Sequence, residues 1–451
     1  MSMGKSLATG ALALALPLSS MAASDFNING FANAGFTWTD TDETYVAADK
    51  DGSFSEATFL GLQMRFQPNA EVPISFVTQL LARARDGWDM KADWAYVSWV
   101  PTDNLNISVG RVKAPLFLIS EAYDVGITYP WISPPEEIYG FANVPMTSLT
   151  GMSVDYSHYF DEMWVRAQFY IGRDDFEIPA MGAEVGGELV RMVGFALTAG
   201  NEELEVRLGI TEAKLNMALK DTLLGLPEAQ QAQSDLGASM LKAIADVAVA
   251  NATINGLQAE SVAINDPSMV AALGELTTAT TNLQAANQNA AYMNSLFDVL
   301  PNGAGSSMFY SLGARYNGDK VFLMAEMARR EIEDVPFPDT SSGFVTFGYK
   351  MDKWMPHLTY SMVESEDSIL VNQSQSSVIA GVRYNIQPWA AVKFEVQRVE
   401  VGDANIRKSG PLKGSALPST GLFNELPDLT TFSGDVPGGL NKVNLAITMV
   451  F

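Results

Sequence analysis

From Phe26 to Phe451 the chain is written largely in stretches of about ten residues that alternate apolar and polar with period two, and no other feature narrows the fold as much. Val443-Asn444-Leu445-Ala446-Ile447-Thr448-Met449-Val450-Phe451 is the plainest. Val443, Leu445, Ile447, Met449 and Phe451 share one face of a strand, and Asn444, Ala446 and Thr448 share the other. Beyond its N-terminal segment the chain has no run of about 20 apolar residues, the length a membrane-crossing helix needs. In lipid every backbone N–H and C=O must find a partner within the protein, so helices and closed barrels are the only ways across. The alternation therefore predicts an all-β transmembrane barrel, one face of each strand toward lipid and the other toward water.

Met1 to Ala23 has the build of an export signal: Lys5 at the start, an apolar stretch from Leu7 to Leu18, and small residues Ser20-Met21-Ala22-Ala23 for cleavage. The barrel is then expected over 24–451. Its strands run near Phe26–Trp38, Phe59–Gln67 and Ile74–Arg85, through Trp94 and Tyr96, and through Leu105, Ile107 and Val109. Met152–Tyr156, Val165–Ile171, Val193–Leu197 and Leu204–Ile210 follow. After a break, seven more centre on Leu312, Leu323, Phe347, Tyr360, Val382, Phe394 and Leu445. The pattern thus reads as a 16-stranded antiparallel barrel, an even number. Connections alternate between tight turns, such as Pro101-Thr102-Asp103-Asn104, and long polar loops at Asp40–Ser53, Asp174–Gly187 and Val401–Gly438. Short turns belong to the periplasm and long loops to the exterior, which puts both termini on the periplasmic side. A soluble β-sandwich shares the alternation but neither the export signal nor the asymmetry of the loops.

With 52 acidic and 28 basic residues the net charge is −24, which argues against nucleic acid as a partner. Cysteine is absent, so disulfides and thiolate metal sites are ruled out. No cluster has zinc-ligand spacing, and Asp40-Thr41-Asp42-Glu43 and Asp49-Lys50-Asp51 read as solvated acidic loops rather than calcium sites. No cofactor is expected. The only histidines, His158 and His357, fall near periplasmic turns, where a polar tip at the interface accounts for them. The chain is not expected to be an enzyme.

A charge facing lipid near the midplane costs about 2–4 kcal/mol, so basic residues within strands should face the lumen. These are Arg65, Arg83, Arg85, Arg166, Arg207, Arg315, Arg330 and Arg383, with Lys393 and Lys442. Arg65, Arg83, Arg85, Arg383, Lys393 and Lys442 sit on strands that are contiguous in a closed barrel and are expected to form one pore-lining basic wall. The bland alternative is pairing with luminal acids such as Glu326 and Glu395 that merely holds the barrel.

Val109-Gly110-Arg111-Val112-Lys113-Ala114-Pro115 closes the fifth strand and resembles the Gly-Arg-x-Lys-x-Pro stretch leading into the third loop of phosphate-selective-type porins. Strand count, loop asymmetry and this motif together make nearly all of the mature chain similar to the Gram-negative sixteen-stranded porins. The resemblance implies that Ala114 to Thr147 folds back into the barrel and narrows it, bringing Glu121, Asp124, Glu136 and Glu137 with Tyr123, Tyr129, Trp131 and Tyr139 opposite the basic wall. Opposed charges across a constriction set ion preference. It also implies a homotrimer in the outer membrane, bounded by lipid and lipopolysaccharide, through which small hydrophilic solutes or ions diffuse. No lysine ladder like that of the phosphate branch is visible. The second exterior loop, Asp86-Gly87-Trp88-Asp89, is too short to latch onto a neighbouring subunit.

Residues 214–303 depart from period two and read as an extracellular α-helical hairpin insertion. A short helix is expected from Lys214 to Gly225, a second opened by Pro227-Glu228 with Leu236, Met240, Ala243 and Val247 on one face, and a third opened by Asp266-Pro267. Along the third, Met269, Leu273, Leu276, Thr280, Leu283, Ala286, Ala290, Met293, Phe297 and Leu300 recur at threes and fours. No charge falls between Glu275 and Asp298, so this helix is expected to pack on something. Three roles stay open: a cap over the pore, a projecting contact site, or a decoration without function. A barrel whose purpose is to display the hairpin for adhesion or assembly is the alternative to a diffusion channel.

Overall fold

A computed structural model describes residues 25–42, 45–69, 71–140, 148–180, 183–218, 227–299, 302–334, 338–366, 374–401 and 439–451. The export signal and the 402–438 loop lie outside these. Sixteen antiparallel strands close into one barrel, each hydrogen-bonded to its sequence neighbours, with β1 (Asp25–Thr39) closing on β16 (Leu440–Val450). The closing register pairs Phe31 with Val450 and Thr39 with Lys442. Phe451 extends it: its N–H donates to Gly30 O at 2.8 Å, and Gly30 N–H returns a bond to Phe451 O at 2.6 Å. No strand edge is left open, the condition that lipid imposes.

Between the closing strands lie β2 (Phe59–Gln67), β3 (Ile74–Arg83), β4 (Met90–Thr102), β5 (Leu105–Lys113), β6 (Ser148–Tyr159), β7 (Trp164–Ala180) and β8 (Ala183–Gly200). Then come β9 (Leu204–Ala218), β10 (Asn302–Asn317), β11 (Val321–Glu333), β12 (Thr340–Tyr349), β13 (Trp354–Ser365), β14 (Gln375–Gln387) and β15 (Ala390–Val401). The alternation reads out as expected: Leu312, Leu358, Phe394 and Leu445 are exposed outward, while Ser311, Thr359, Lys393 and Asn444 are buried inward. Trp354 and Trp389 stand exposed beside the short turns, Trp354 with its ring 4.5 Å from that of Tyr384.

Three expectations change. Residues 174–187 are not simply a loop, because β7 and β8 continue as a paired hairpin past Gly172 as far as Ala180 and Ala183. Past the membrane no lipid imposes alternation, but the ladder runs on. β3 ends at Arg83, and Ala84–Asp86 form a 3₁₀ turn, so Arg85 leaves the strand face that Arg83 shares. Lys214 to Ala218 belong to β9 rather than to a short helix, and they pair with the start of β10. The remainder of that expected helix lies outside the described residues.

The insert forms two helices, α1 (Pro227–Ala259) and α2 (Pro267–Val299), packed antiparallel. Asp266 caps α2, accepting the Ser268 N–H at 2.9 Å. The seam of α1 passes through Met240, Ala243, Val247, Ala250 and Ile254. On α2 it passes through Met269, Ala272, Leu276, Ala279 and Ala286. Leu273 and Thr280 were expected there, but both are exposed, since alanines one residue earlier let the helices approach more closely.

The closed ladder predicts that the folded barrel resists detergent. Unboiled protein in SDS is expected to run as a compact species distinct from boiled protein. Identical migration, with far-ultraviolet circular dichroism dominated by helix, would contradict the barrel.

Candidate functional site

The glycine of the fifth-strand motif has a steric cause. Gly110 takes φ +134°, and a Cβ there would stand 2.4 Å from Ala95 O and 2.8 Å from Tyr96 Cα. Three residues on, Lys113 ends β5 and the chain leaves the wall. From Ala114 to Gly140 this inner loop packs on inward-facing side chains of strands around most of the barrel.

Its first stretch is held by β9 to β11. Arg207 donates to Pro115 O, Ser311 Oγ to Leu116 O at 2.6 Å, and Leu118 N–H to Glu326 Oε1 at 2.7 Å. Glu326 also accepts the Tyr139 hydroxyl, which ties the far end of the loop to the same carboxylate. Next, Glu121 meets Arg166 on β7 at 2.8 Å, and Asp124 meets Arg83 on β3 at 2.6 Å. Lys113 stands 3.6 Å from Asp124 and 3.1 Å from Asp93, which a bulge in β4 turns inward. Burial alone would raise the Asp124 carboxyl, but Lys113 and Arg83 hold it below the ordinary carboxylate range. For Glu121 burial also pushes upward, and Arg166 outweighs it.

The middle stretch crosses to β13–β16. Lys393 Nζ, buried, donates to Gly126 O at 2.7 Å, Tyr129 O at 3.0 Å and Trp131 O. Arg383, its cross-strand neighbour, donates to Ile127 O at 2.7 Å. Two like charges side by side are costly, and the cluster of loop carbonyls compensates both. Ile132 N–H donates to Glu395 Oε1 at 2.8 Å, and Trp131 Nε1 to Thr359 Oγ1 at 2.8 Å. Gly126 comes so near β16 that a Cβ would lie 2.7 Å from Thr448 Oγ1. Glu137 accepts from Ser361 and from Gln375, each at 2.8 Å.

The expected basic wall is therefore divided. Arg383 and Lys393 face loop carbonyls rather than loop acids. Lys442 pairs with buried Glu56 of the first exterior loop. Arg83 touches Asp124 instead of facing it across a gap. Arg65 is exposed and pairs by register with Val77, six residues along β3 from Arg83. Arg85, in the 3₁₀ turn, is exposed with its Nε 3.8 Å from Asp86 Oδ1. Of the four acids, Glu121 keeps the most exposed carboxylate facing a cation, and Glu137 is buried.

A group centred on Tyr96 of β4 was not singled out from the sequence: Arg65, Glu121, Asp155 and Arg166 all act electrostatically on it. They come from β2, β4, β6, β7 and the inner loop, and only the register reveals that they meet. His357 is a correction of another kind. It points into the barrel, buried, with Nε2 3.7 Å from Glu395. His158 packs its ring on Phe160 at 4.7 Å. Among the described residues neither histidine hydrogen-bonds a serine, and no group of carboxylates and histidines has the arrangement of a metal site.

The sequence model of the Gram-negative porin family matches residues 8–334, more than half of the chain. The protein belongs to the Gram-negative porins. It is an outer-membrane channel protein of the passive-diffusion class. No curated protein matches it in sequence. Among solved structures it is similar to the anion-selective porin from Comamonas acidovorans, at 13% identity over 95% of this chain and 100% of that one, with a TM-score of 0.50. OmpF of Salmonella typhi in complex with daunomycin is 14% identical over 94% of this chain and 97% of that one, TM-score 0.49. The outer membrane channel DcaP of Acinetobacter baumannii is 10% identical over 96% and 99%, TM-score 0.49. At 13% identity, the likeness to the Comamonas acidovorans porin speaks to the shared barrel alone.

Two predictions follow from the anchors. Lys393→Met removes the donor shared by three loop carbonyls, and each buried carbonyl left unpaired costs about 1–3 kcal/mol. The barrel ladder is untouched, so the loop should loosen before the barrel does: unboiled migration persists, protease cuts within 114–140 appear, and open-channel current becomes noisier. The second concerns Glu136, whose carboxyl is pushed up to about 7 by burial, with Glu56 and Glu137 acting the same way and Lys442 and Arg85 opposing. Between its unfolded value and about 7 the folded loop holds a proton that the unfolded chain releases, so rising pH costs the loop stability in that window. Above it the lumen gains a negative charge. Reversal potential should move toward cations between pH 6 and pH 8, a range of roughly one unit either side. Glu136→Gln should flatten that change.

Proposed function

We propose that the barrel is a water-filled channel through which small hydrophilic solutes or ions diffuse passively, narrowed by the inner loop, and that it assembles as a homotrimer as its family does. The observation that carries this reading is the anchoring of the loop. Luminal side chains of β3, β7, β9–β11 and β13–β15, buried or half-buried, bind it, and the open passage is assigned to the remaining wall, where Arg65 and Tyr96 stand beside the Glu121–Arg166 pair. A loop held by polar contacts along its length is a fixed constriction rather than a swinging lid. Among the described residues, those assigned to act on a passing ion are Arg65 and Arg85 on one sign and Glu121 and Glu136 on the other. Within a narrow passage they are screened only partly, since the Debye length is about 8 Å at physiological salt. The acidic exterior loops lie farther away and weigh less.

No catalytic step is assigned to the chain. A barrel that only displays its hairpin is the competing reading, and a planar-bilayer recording separates them: a display scaffold with a sealed lumen carries no steady current. In the channel reading, the double variant Arg65→Gln/Arg85→Gln shifts reversal potential toward cations, and Glu121→Gln/Glu136→Gln shifts it toward anions. Shifts of one sign in both variants, or none in either at low salt, remove these residues from the constriction.

A further inference from the structure

Each helix of the hairpin has the other as its packing partner, and neither packs along a barrel strand or the inner loop among the described residues. The surface flanking their seam is divided by charge. On α1, Leu241, Ile244 and Ala248 lie to one side of the seam, with Leu241 70% and Ile244 49% exposed. Because α2 runs antiparallel, Val270, Leu273 and Thr277 fall on that same side of the hairpin, again exposed. Among the helix residues whose side chains are described, no charge occupies this side. Four described charges of the helices, Asp246 and Glu275 beside the seam with Asp235 and Lys242 farther round, lie toward the opposite side. A solvated hairpin would spread its charges over both.

We propose that this uncharged side is an interface between two copies of the chain. Three considerations select that occupant. First, the molecule carries a net charge of −24, so two copies repel one another wherever acids face acids, and this side lets them meet without that cost. An oppositely charged partner would be met by the other side. Second, the area suffices. Thirty-three residues per helix give a length of about 50 Å at 1.5 Å per residue. Two helices about 8–10 Å apart give a width near 20 Å, so the side offers roughly 1,000 Å² per copy, where a stable interface needs about 800 Å². Third, copies in one membrane share orientation, with their hairpins at one height. A two-fold axis along the membrane normal then brings the same side of two hairpins together, an isologous contact forming a four-helix bundle. The β9–β10 connection is half-way round the barrel from the β1–β16 closure, so this contact uses a part of the circumference remote from the closing strands. The inference stands whether or not the channel conducts.

The test is sedimentation of the purified full-length protein in detergent at high micromolar concentration. The uncharged side is altered by Leu241→Glu/Ile244→Glu/Leu273→Glu and, more mildly, by the same three positions changed to Ala. Ser239→Glu/Thr253→Glu alters the charged side as a control. Circular dichroism and unboiled migration establish that hairpin and barrel are intact in each. Wild type and control are expected to carry at least twice as many protomers per particle as the triple-Glu variant, with the triple-Ala variant between. Equal particle mass in all four overturns the proposal. So does a wild-type particle that grows only when purified lipopolysaccharide is added, because the side then binds carbohydrate rather than a second copy.

Discussion

Closure of the hydrogen-bond ladder is the constraint on which everything else in this molecule depends. Lipid offers no partner for a free N–H or C=O, so sixteen strands must return to the first, and the bonds between Gly30 and Phe451 complete the ring. Closure then fixes two solvents. The outer one admits only apolar side chains along the span. The inner one is cut off from lipid and can hold groups that would be intolerable outside.

The lumen uses that freedom to hold its loop. In a soluble protein a buried lysine such as Lys393 usually meets a carboxylate, whereas here it meets three backbone carbonyls that the short helical turns of the loop leave unpaired. Glu326 and Glu395 do the complementary work, accepting backbone N–H groups at Leu118 and Ile132. Cationic and anionic wall residues thus treat the loop as a polar object with donors and acceptors, and its own acids are secondary. Much of the luminal charge is consumed in positioning.

This division explains how far the sequence could be read. Strand number and facing were legible because lipid enforces period two: the facing of Leu445, Phe394 and Leu358 needed no structure. Strand ends were less so, as at β7 and β8, where pairing persists into water and the side chains no longer report it. Inward residues could be named as inward, including all but Arg85 of the basic set. Their partners could not, because these depend on height in the barrel. Arg65 and Arg83 differ by six positions of register, which places them about 20 Å apart along the strand at 3.3 Å per residue. Adjacent strands had made them look like neighbours. Tyr96 was missed because an aromatic on a barrel strand ordinarily reads as girdle, and only its inward parity and the register of Arg65 give it away.

The hairpin obeys a different solvent, and its ambiguity has a different source. Alternation in the barrel is strict because a misplaced charge in lipid is costly. On a helix in water a seam shifted by one residue costs little as long as small residues are available, and this insert is rich in alanine. Leu273 and Ala272 both fit a spacing of threes and fours, and packing favours the smaller because it brings the axes closer and buries more backbone. Leucine is thereby displaced from the seam to its flank. An apolar residue left exposed in this way is ordinary when single. Here the displaced Leu273 joins Val270, Leu241 and Ile244 on one side while Asp235, Asp246 and Glu275 lie toward the other, and that segregation is a property of the pair of helices that neither shows alone.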